Sequence, residues 1–311
     1  MSGGCLHFTY AKGFCKMADY ILSCSSTVDL NNDYLKKRNI EYIGLTYSID
    51  GKDYVDDMGA TMPMSEFYAK MANGAMTKTS QVNVDAYLAY FGKFLSKGYD
   101  VVHVELSSGL SGSANSARIA ADELKKDYPD RTVYVVDSLG ASSGHGLLTA
   151  QMADLRDEGM SAEELYKWGV ANRLRVHHWF FSTDLTYYVR GGRVSKAAGW
   201  FGTILKICPL LNMDNLGKLV PRFKIRGKNN VIKEIVKKME ENADDGVNYN
   251  GKCFISNAGC YEDAVAVRDL VAQRFPNIEG EIMINDIGTT IGSHTGPGTV
   301  ALFFFGKERI D

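Results

Sequence analysis

Apolar residues recur along this chain in two rhythms, every second position in some stretches and every third or fourth in others. Their alternation predicts strands separated by helices. Residues 19–23 read as the first strand, opening into the turn and cap residues Ser25, Ser26, Thr27 and Asp29. Residues 43–49 read as a second strand, with Asp50-Gly51 as a hairpin turn towards Tyr54. A short helix is expected over 65–71, then a polar loop over 77–81. The next helix spans 84–97, where Tyr87, Leu88, Phe91, Phe94 and Leu95 make one apolar face. The β-branched run 101–106 is a strand, and 114–128 a helix that stops at Pro129. Residues 132–137 are almost continuously apolar, as in a parallel strand covered on both faces. A helix then runs from Ser142 to about Glu158, and Ser161 with Glu164 forms a capping box for the next.

The organisation changes near residue 176. Residues 178–183 read as a strand, and 185–196 as a helix ended by Gly191-Gly192. Residues 199–211 are apolar and glycine-punctuated, and a hairpin turn at 215–217 leads into a strand over 219–225. Helices over 231–241 and 261–275 and strands over 253–257, 281–286 and 299–305 complete the chain. The expected fold is therefore α/β: an N-terminal parallel sheet with helices on both faces over 18–175, and a C-terminal α+β domain over 176–311. Residues 1–17 read as an additional tail.

Composition narrows the class without deciding it. The length of 311 residues suits two domains, and a formal charge of −2 supplies no basic field for nucleic acid. Six cysteines contain no Cys-x-x-Cys pair and no secretion signal precedes them, so reduced thiols in the cytoplasm are expected. His177 and His178 are adjacent, so on a strand they point to opposite faces and cannot share a metal; no metal site and no cofactor are expected.

The stretch from Ser107 to Ala117 carries the most chemistry. It joins a strand to a helix through serines and glycines, and a helix start offers unpaired N–H groups and partial positive charge to an anion. Gly109-Leu110-Ser111-Gly112-Ser113 lacks the last glycine of a nucleophile elbow, and no lysine completes a P-loop. An ordinary capped helix start remains the plain alternative.

Taken in order, the loops resemble the DegV family of fatty-acid-binding proteins. The resemblance rests on Cys24 to Leu30, Thr79-Ser80-Gln81, Ser107 to Gly112, Val136-Asp137-Ser138, Tyr188 to Lys196, Gly217-Lys218-Leu219 and His294-Thr295-Gly296-Pro297-Gly298, and it covers 19–305. It implies a fold that holds one long-chain fatty acid between two domains, with no catalytic residue of its own, and presents it to a separate fatty acid kinase. By the same resemblance Thr79, Ser111 and His294 hold the carboxyl group, with Ser80, Ser108, Gly109, Gly112, Pro297 and Gly298 shaping the loops around it. Arg226, with Lys224 and Arg222, matches a basic segment associated with docking the kinase, and alternate strand residues share a face. Transient membrane contact is compatible with such a carrier. Val82-Asn83, Cys208 and Asn257 depart from the family pattern without removing a carboxyl ligand.

The energetics are coherent with that expectation. A buried methylene is worth about 0.8 kcal/mol, so roughly fifteen of them offer on the order of 12 kcal/mol before the ordering costs of binding. Two other functions stay open from sequence: a hydrolase or acyltransferase with Ser111 as nucleophile and His294 as base, and a lipid sensor without a kinase.

Overall fold

The computed structural model describes residues 20–195 and 207–311. The expected tail over 1–17, Lys196 and the first part of the glycine-punctuated stretch lie outside the described residues. The N-terminal sheet is formed by β1 (Tyr20–Ser25), β2 (Ile40–Ile43), β6 (Asp100–Glu105) and β7 (Val133–Asp137), all parallel, in the order β2-β1-β6-β7. Alternate residues face opposite layers. Val101 and Val135 pack under α3 (Val84–Leu95) and α4 (Ser113–Asp127), while Val102, Val104 and Val136 pack on α5 (Ser142–Asp157).

Helix α5 is the centre of the molecule. Its other side meets the six-stranded C-terminal sheet, so it is buried around most of its circumference, including Leu147, Leu148, Met152 and Ala153. Gly144 permits that approach, since a Cβ there would lie 2.2 Å from Nε2 of His178. The C-terminal sheet runs β10-β9-β8-β13-β11-β12, built from β8 (Val176–Phe181), β9 (Ile207–Met213), β10 (Leu219–Arg226), β11 (Cys253–Asn257), β12 (Met283–Asp286) and β13 (Val300–Phe305). Only β11 and β12 pair in parallel. Helices α8 (Lys228–Asn242) and α9 (Tyr261–Arg274) cover its outer face through Val231, Ile235, Val267 and Val271. Helices α1 (Asn32–Lys37), α2 (Met64–Ala72), α6 (Ala162–Asn172) and α7 (Thr186–Arg190) complete the layers, α6 starting with the expected capping box.

Three expectations need correction. Residues 43–49 are not one strand: β2 ends at Ile43, the chain turns at Gly44-Leu45, and β3 (Thr46–Ile49) belongs to another sheet. A Cβ at Gly44 would lie 2.5 Å from Val55, so the glycine lets the chain fold back on itself. Residues 77–81 are not a loop but mostly strand β5 (Thr77–Ser80), paired antiparallel with β3, which also pairs with β4 (Lys52–Val55). Its exposed positions are Lys78 and Ser80, so an apolar alternation is missing although the β-branched threonines are more buried. The stretch around His294 is helical: α10 (Thr289–Thr295) has poor intrinsic propensity and depends on tertiary bonds, among them Thr290 N–H donating to Asp56 Oδ2 at 3.2 Å.

Candidate functional site

The mouth of the site is assembled from four distant segments. Strand β5 turns Thr77 and Thr79 towards α10: Thr77 Oγ1 donates to the Ser293 carbonyl at 3.2 Å, and Thr79 Oγ1 is hydrogen-bonded to His294 Nε2 at 2.7 Å. On the other side of the imidazole, Arg193 Nη1–H donates to Nδ1 at 3.5 Å. With Nδ1 accepting, Nε2 carries the proton and donates to Thr79. The Thr79 hydroxyl proton is then free for an incoming acceptor. Burial, and then the charge of Arg193, hold His294 down at about 4, so the ring is neutral at neutral pH.

Ser111 stands two residues before the first helical residue of α4, with Gly112 between. Its Oγ accepts from Ser113 N–H at 3.2 Å and lies 3.0 Å from Ser113 Oγ. Arg193 Nη2 donates to the Leu110 carbonyl at 3.1 Å, tying this loop to the turn after α7. Burial lowers the Arg193 guanidinium from its ordinary value, yet leaves it cationic at neutral pH. Gly191 makes room for the histidine, because a Cβ there would lie 2.2 Å from His294 Nδ1.

Thr79, Ser111 and His294 all line one cavity of about 300 Å³ between the two sheets. Of its lining, Ser80, Gln81 and Gly112 are exposed, whereas Phe180, Tyr188 and Phe303 are buried. This volume is at the lower end of those of small-molecule sites, and the pairing of apolar walls with a few polar groups is characteristic of them. Of the supporting residues expected from sequence, Ser80 and Gly112 line the cavity, while Ser108, Gly109, Pro297 and Gly298 do not. Ser108 N–H donates to Asp137 Oδ1 at 3.1 Å, and a Cβ at Gly109 would lie 2.6 Å from the Leu216 carbonyl oxygen, so these positions fix the loop. Gly298 has φ +84° and passes against Thr183.

Sequence reasoning missed Arg193 and Gln81, which fall within the Tyr188 to Lys196 and Thr79-Ser80-Gln81 motifs without a role, though both line the cavity. The signal for Arg193 lay in its position after two glycines, but its partner Leu110 is 83 residues away. It also missed Gly140-Ala141-Ser142-Ser143-Gly144, a complete Gly-x-Ser-x-Gly at a strand-to-helix turn with Ser142 at φ +55°. Ser142 Oγ donates to Asp29 Oδ2 and lies 3.2 Å from Ser256 Oγ, while His178 Nε2 accepts from Ala141 N–H at 3.2 Å. Burial pushes the Asp29 carboxyl well up, and its Oδ2 accepts the Ser142 hydroxyl in a buried bond. Among the described residues no imidazole bonds the Ser142 hydroxyl, and none bonds that of Ser111.

The basic segment is less uniform than strand alternation suggests. The register of β10 shifts between Pro221 and Phe223, so Arg222 falls on a bulge. Arg222 donates to Asn212 Oδ1 at 2.8 Å and pairs with Asp311 at 3.3 Å. Lys224 and Arg226, beyond the bulge, are exposed. Among the described residues no cluster of His, Cys, Asp or Glu could hold a metal, and no helix is long and apolar enough to cross a membrane.

Taken together, these features define an α/β protein of two domains with one apolar cavity at their junction, closed at its mouth by hydroxyls, a neutral imidazole and one guanidinium. The chain belongs to the DegV family: the family model described as "Uncharacterised protein, DegV family" matches residues 24–307. A DegV domain-containing protein of Clostridium perfringens is 34% identical over 294 residues, covering 94% of this chain and 99% of that one. A protein of Thermotoga maritima named fatty acid-binding protein is 33% identical over 293 residues, covering 92% and 96%. The crystal structure of a stearic acid-binding protein from Eubacterium ventriosum superposes with a TM-score of 0.81 at 27% identity, over 93% of this chain and 98% of that one.

Proposed function

We propose that this protein binds one long-chain fatty acid, its acyl chain in the interdomain cavity and its carboxylate at Thr79, Ser111 and His294, and presents it to a separate fatty acid kinase. One observation carries the reading. Thr79 and His294, 215 positions apart, meet at 2.7 Å at the mouth of an apolar cavity also lined by Ser111. There a carboxylate finds hydroxyl donors and a nearby guanidinium. A neutral imidazole beside them adds no second full charge to desolvate. The fatty-acid-binding relatives support the same ligand.

The protein acts as a carrier without a catalytic centre. His294 is bonded to Thr79 and Ser111 to Ser113, so the two do not form the nucleophile and base pair that a hydrolase would need. Phosphorylation of the carboxylate then requires a nucleotide-binding partner, and the exposed Lys224 and Arg226 are its docking residues. Denaturing extraction of the purified protein, followed by mass spectrometry, tests the ligand: a long-chain acid should be released in near-equimolar amount. A lipid-free protein with no saturable binding of hexadecanoate or oleate would end the reading.

A further inference from the structure

One wall of the cavity carries chemistry that a plain hydrocarbon does not use. Thr290, Ile291, His294 and Thr295 line it, a spacing that places them on one face of α10. His294 belongs to the mouth and Ile291 suits methylenes. Thr290 and Thr295 are 3% and 7% exposed, and the hydroxyl oxygen of each is shut from solvent with no hydrogen-bond partner among the described residues. A helical Ser or Thr ordinarily bonds the carbonyl three or four residues back. Ser293, on the same helix but off the cavity, does so with Thr289 at 2.7 Å, and Thr149 on α5 does so with His145 at 2.9 Å. Thr289 lies away from the cavity, its side chain against the Tyr47 phenol. Unpaired buried hydroxyls are rare and call for an explanation, and the two on this wall share a cavity.

Resting on the carboxylate site proposed above, we infer that the preferred ligand is a hydroxylated long-chain fatty acid, its hydroxyl met by Thr290 or Thr295. Rotation about χ1 exchanges methyl and hydroxyl, and helical threonine populates two rotamers, so either side chain can turn its oxygen to such a ligand. The position along an acid that runs beside α10 follows from helix geometry. At 1.5 Å per residue Thr290 stands ~6 Å along α10 from His294, and Thr295 is adjacent to His294. A C–C bond of about 1.5 Å advances an extended chain by roughly 1.3 Å per carbon, which puts a hydroxyl met by Thr290 on about carbon 5 or 6 and one met by Thr295 on about carbon 2 or 3.

Titration of the delipidated full chain with four acids tests this: hexadecanoic, 3-hydroxy-, 5-hydroxy- and 16-hydroxyhexadecanoic acid. At least one of the two acids hydroxylated near the carboxyl group should bind roughly tenfold tighter than hexadecanoic acid, equivalent to ~1.4 kcal/mol, and the 16-hydroxy acid should not. Thr290→Val or Thr295→Val, each close to isosteric, should bring that preference towards parity while hexadecanoate affinity is kept. Equal affinities in the unaltered protein, or a preference that survives both substitutions, would overturn the inference and leave the carrier reading standing. Failure of all four acids to bind would overturn both.

Discussion

Gly191 and Gly192 are neighbours with opposite physical roles, and one pair of substitutions separates them. Gly191 has φ −74°, which alanine adopts without strain, but its Cβ would lie 2.2 Å from His294 Nδ1. Ordinary contact begins near 3.4 Å, so the ring must retreat by about 1 Å, and the 2.7 Å bond to Thr79 cannot survive that shift unchanged. Gly191→Ala should therefore disorder the carboxylate site. A hydrogen bond to a charged group contributes about 1.5–3 kcal/mol, so fatty-acid affinity should fall on the order of 10- to 100-fold. Gly192 has φ +72° and open space around its Cβ. Gly192→Ala should cost about 1–2 kcal/mol of folding stability from the left-handed backbone and leave affinity unchanged. Isothermal titration with hexadecanoate and thermal melting of both variants give the two readouts. Affinity within twofold of the unaltered protein for Gly191→Ala, or a larger affinity loss for Gly192→Ala, would refute the assignment of His294 to the mouth.

Thr79→Ala and Ser111→Ala should each weaken fatty-acid binding by about 1–3 kcal/mol with the fold intact; equal affinity in both would move the carboxylate elsewhere. Arg226→Glu should abolish acyl-phosphate formation with a cognate fatty acid kinase at unchanged fatty-acid affinity, and full turnover in that variant would rule out docking through this strand. Inside the N-terminal domain, His103 Nε2–H donates to Glu105 Oε2 at 2.9 Å, Tyr87 donates to the same oxygen, and Leu106 N–H donates to Oε1 at 3.0 Å. Burial raises the Glu105 carboxyl, but the bonds from His103 and Tyr87 outweigh it and hold the group below its ordinary value. Glu105→Ala leaves those donors buried without an acceptor and should cost about 3–5 kcal/mol in denaturant unfolding; a loss below 1 kcal/mol would show the network to be dispensable. Burial holds His145, His177 and His294 at about 4 in the folded protein. Unfolded imidazoles titrate near 6.5, so the unfolded chain takes up protons that the folded chain refuses. Stability should be full above about pH 6.5 and fall as pH drops towards 4. A melting temperature that stays flat from pH 7 to 5, above the range of ordinary carboxylates, would contradict this.

Much of the architecture was legible in the chain because it is written in neighbouring residues. The β-branched run before Glu105 and the helical spacing up to Pro129 specify a strand and a helix with no help from elsewhere. Asp50-Gly51, both at positive φ, specifies a hairpin in the same local way. The polar face of β5 and the threonine- and glycine-rich α10 were illegible for the same reason: their local preferences are weak, and partners far along the chain complete them. Strand β3 pairs the first, and Asp56 caps the second. Ordered motifs pointed to Thr79, Ser111 and His294, but only the fold brings Thr79 against His294, Arg193 against Leu110 and the three candidate residues onto one cavity. Periodicity reports which face of an element is buried and is silent on what it is buried against. The inward face of α10 therefore became a ligand wall, and α5 a helix between two sheets, only through contacts between residues remote in sequence.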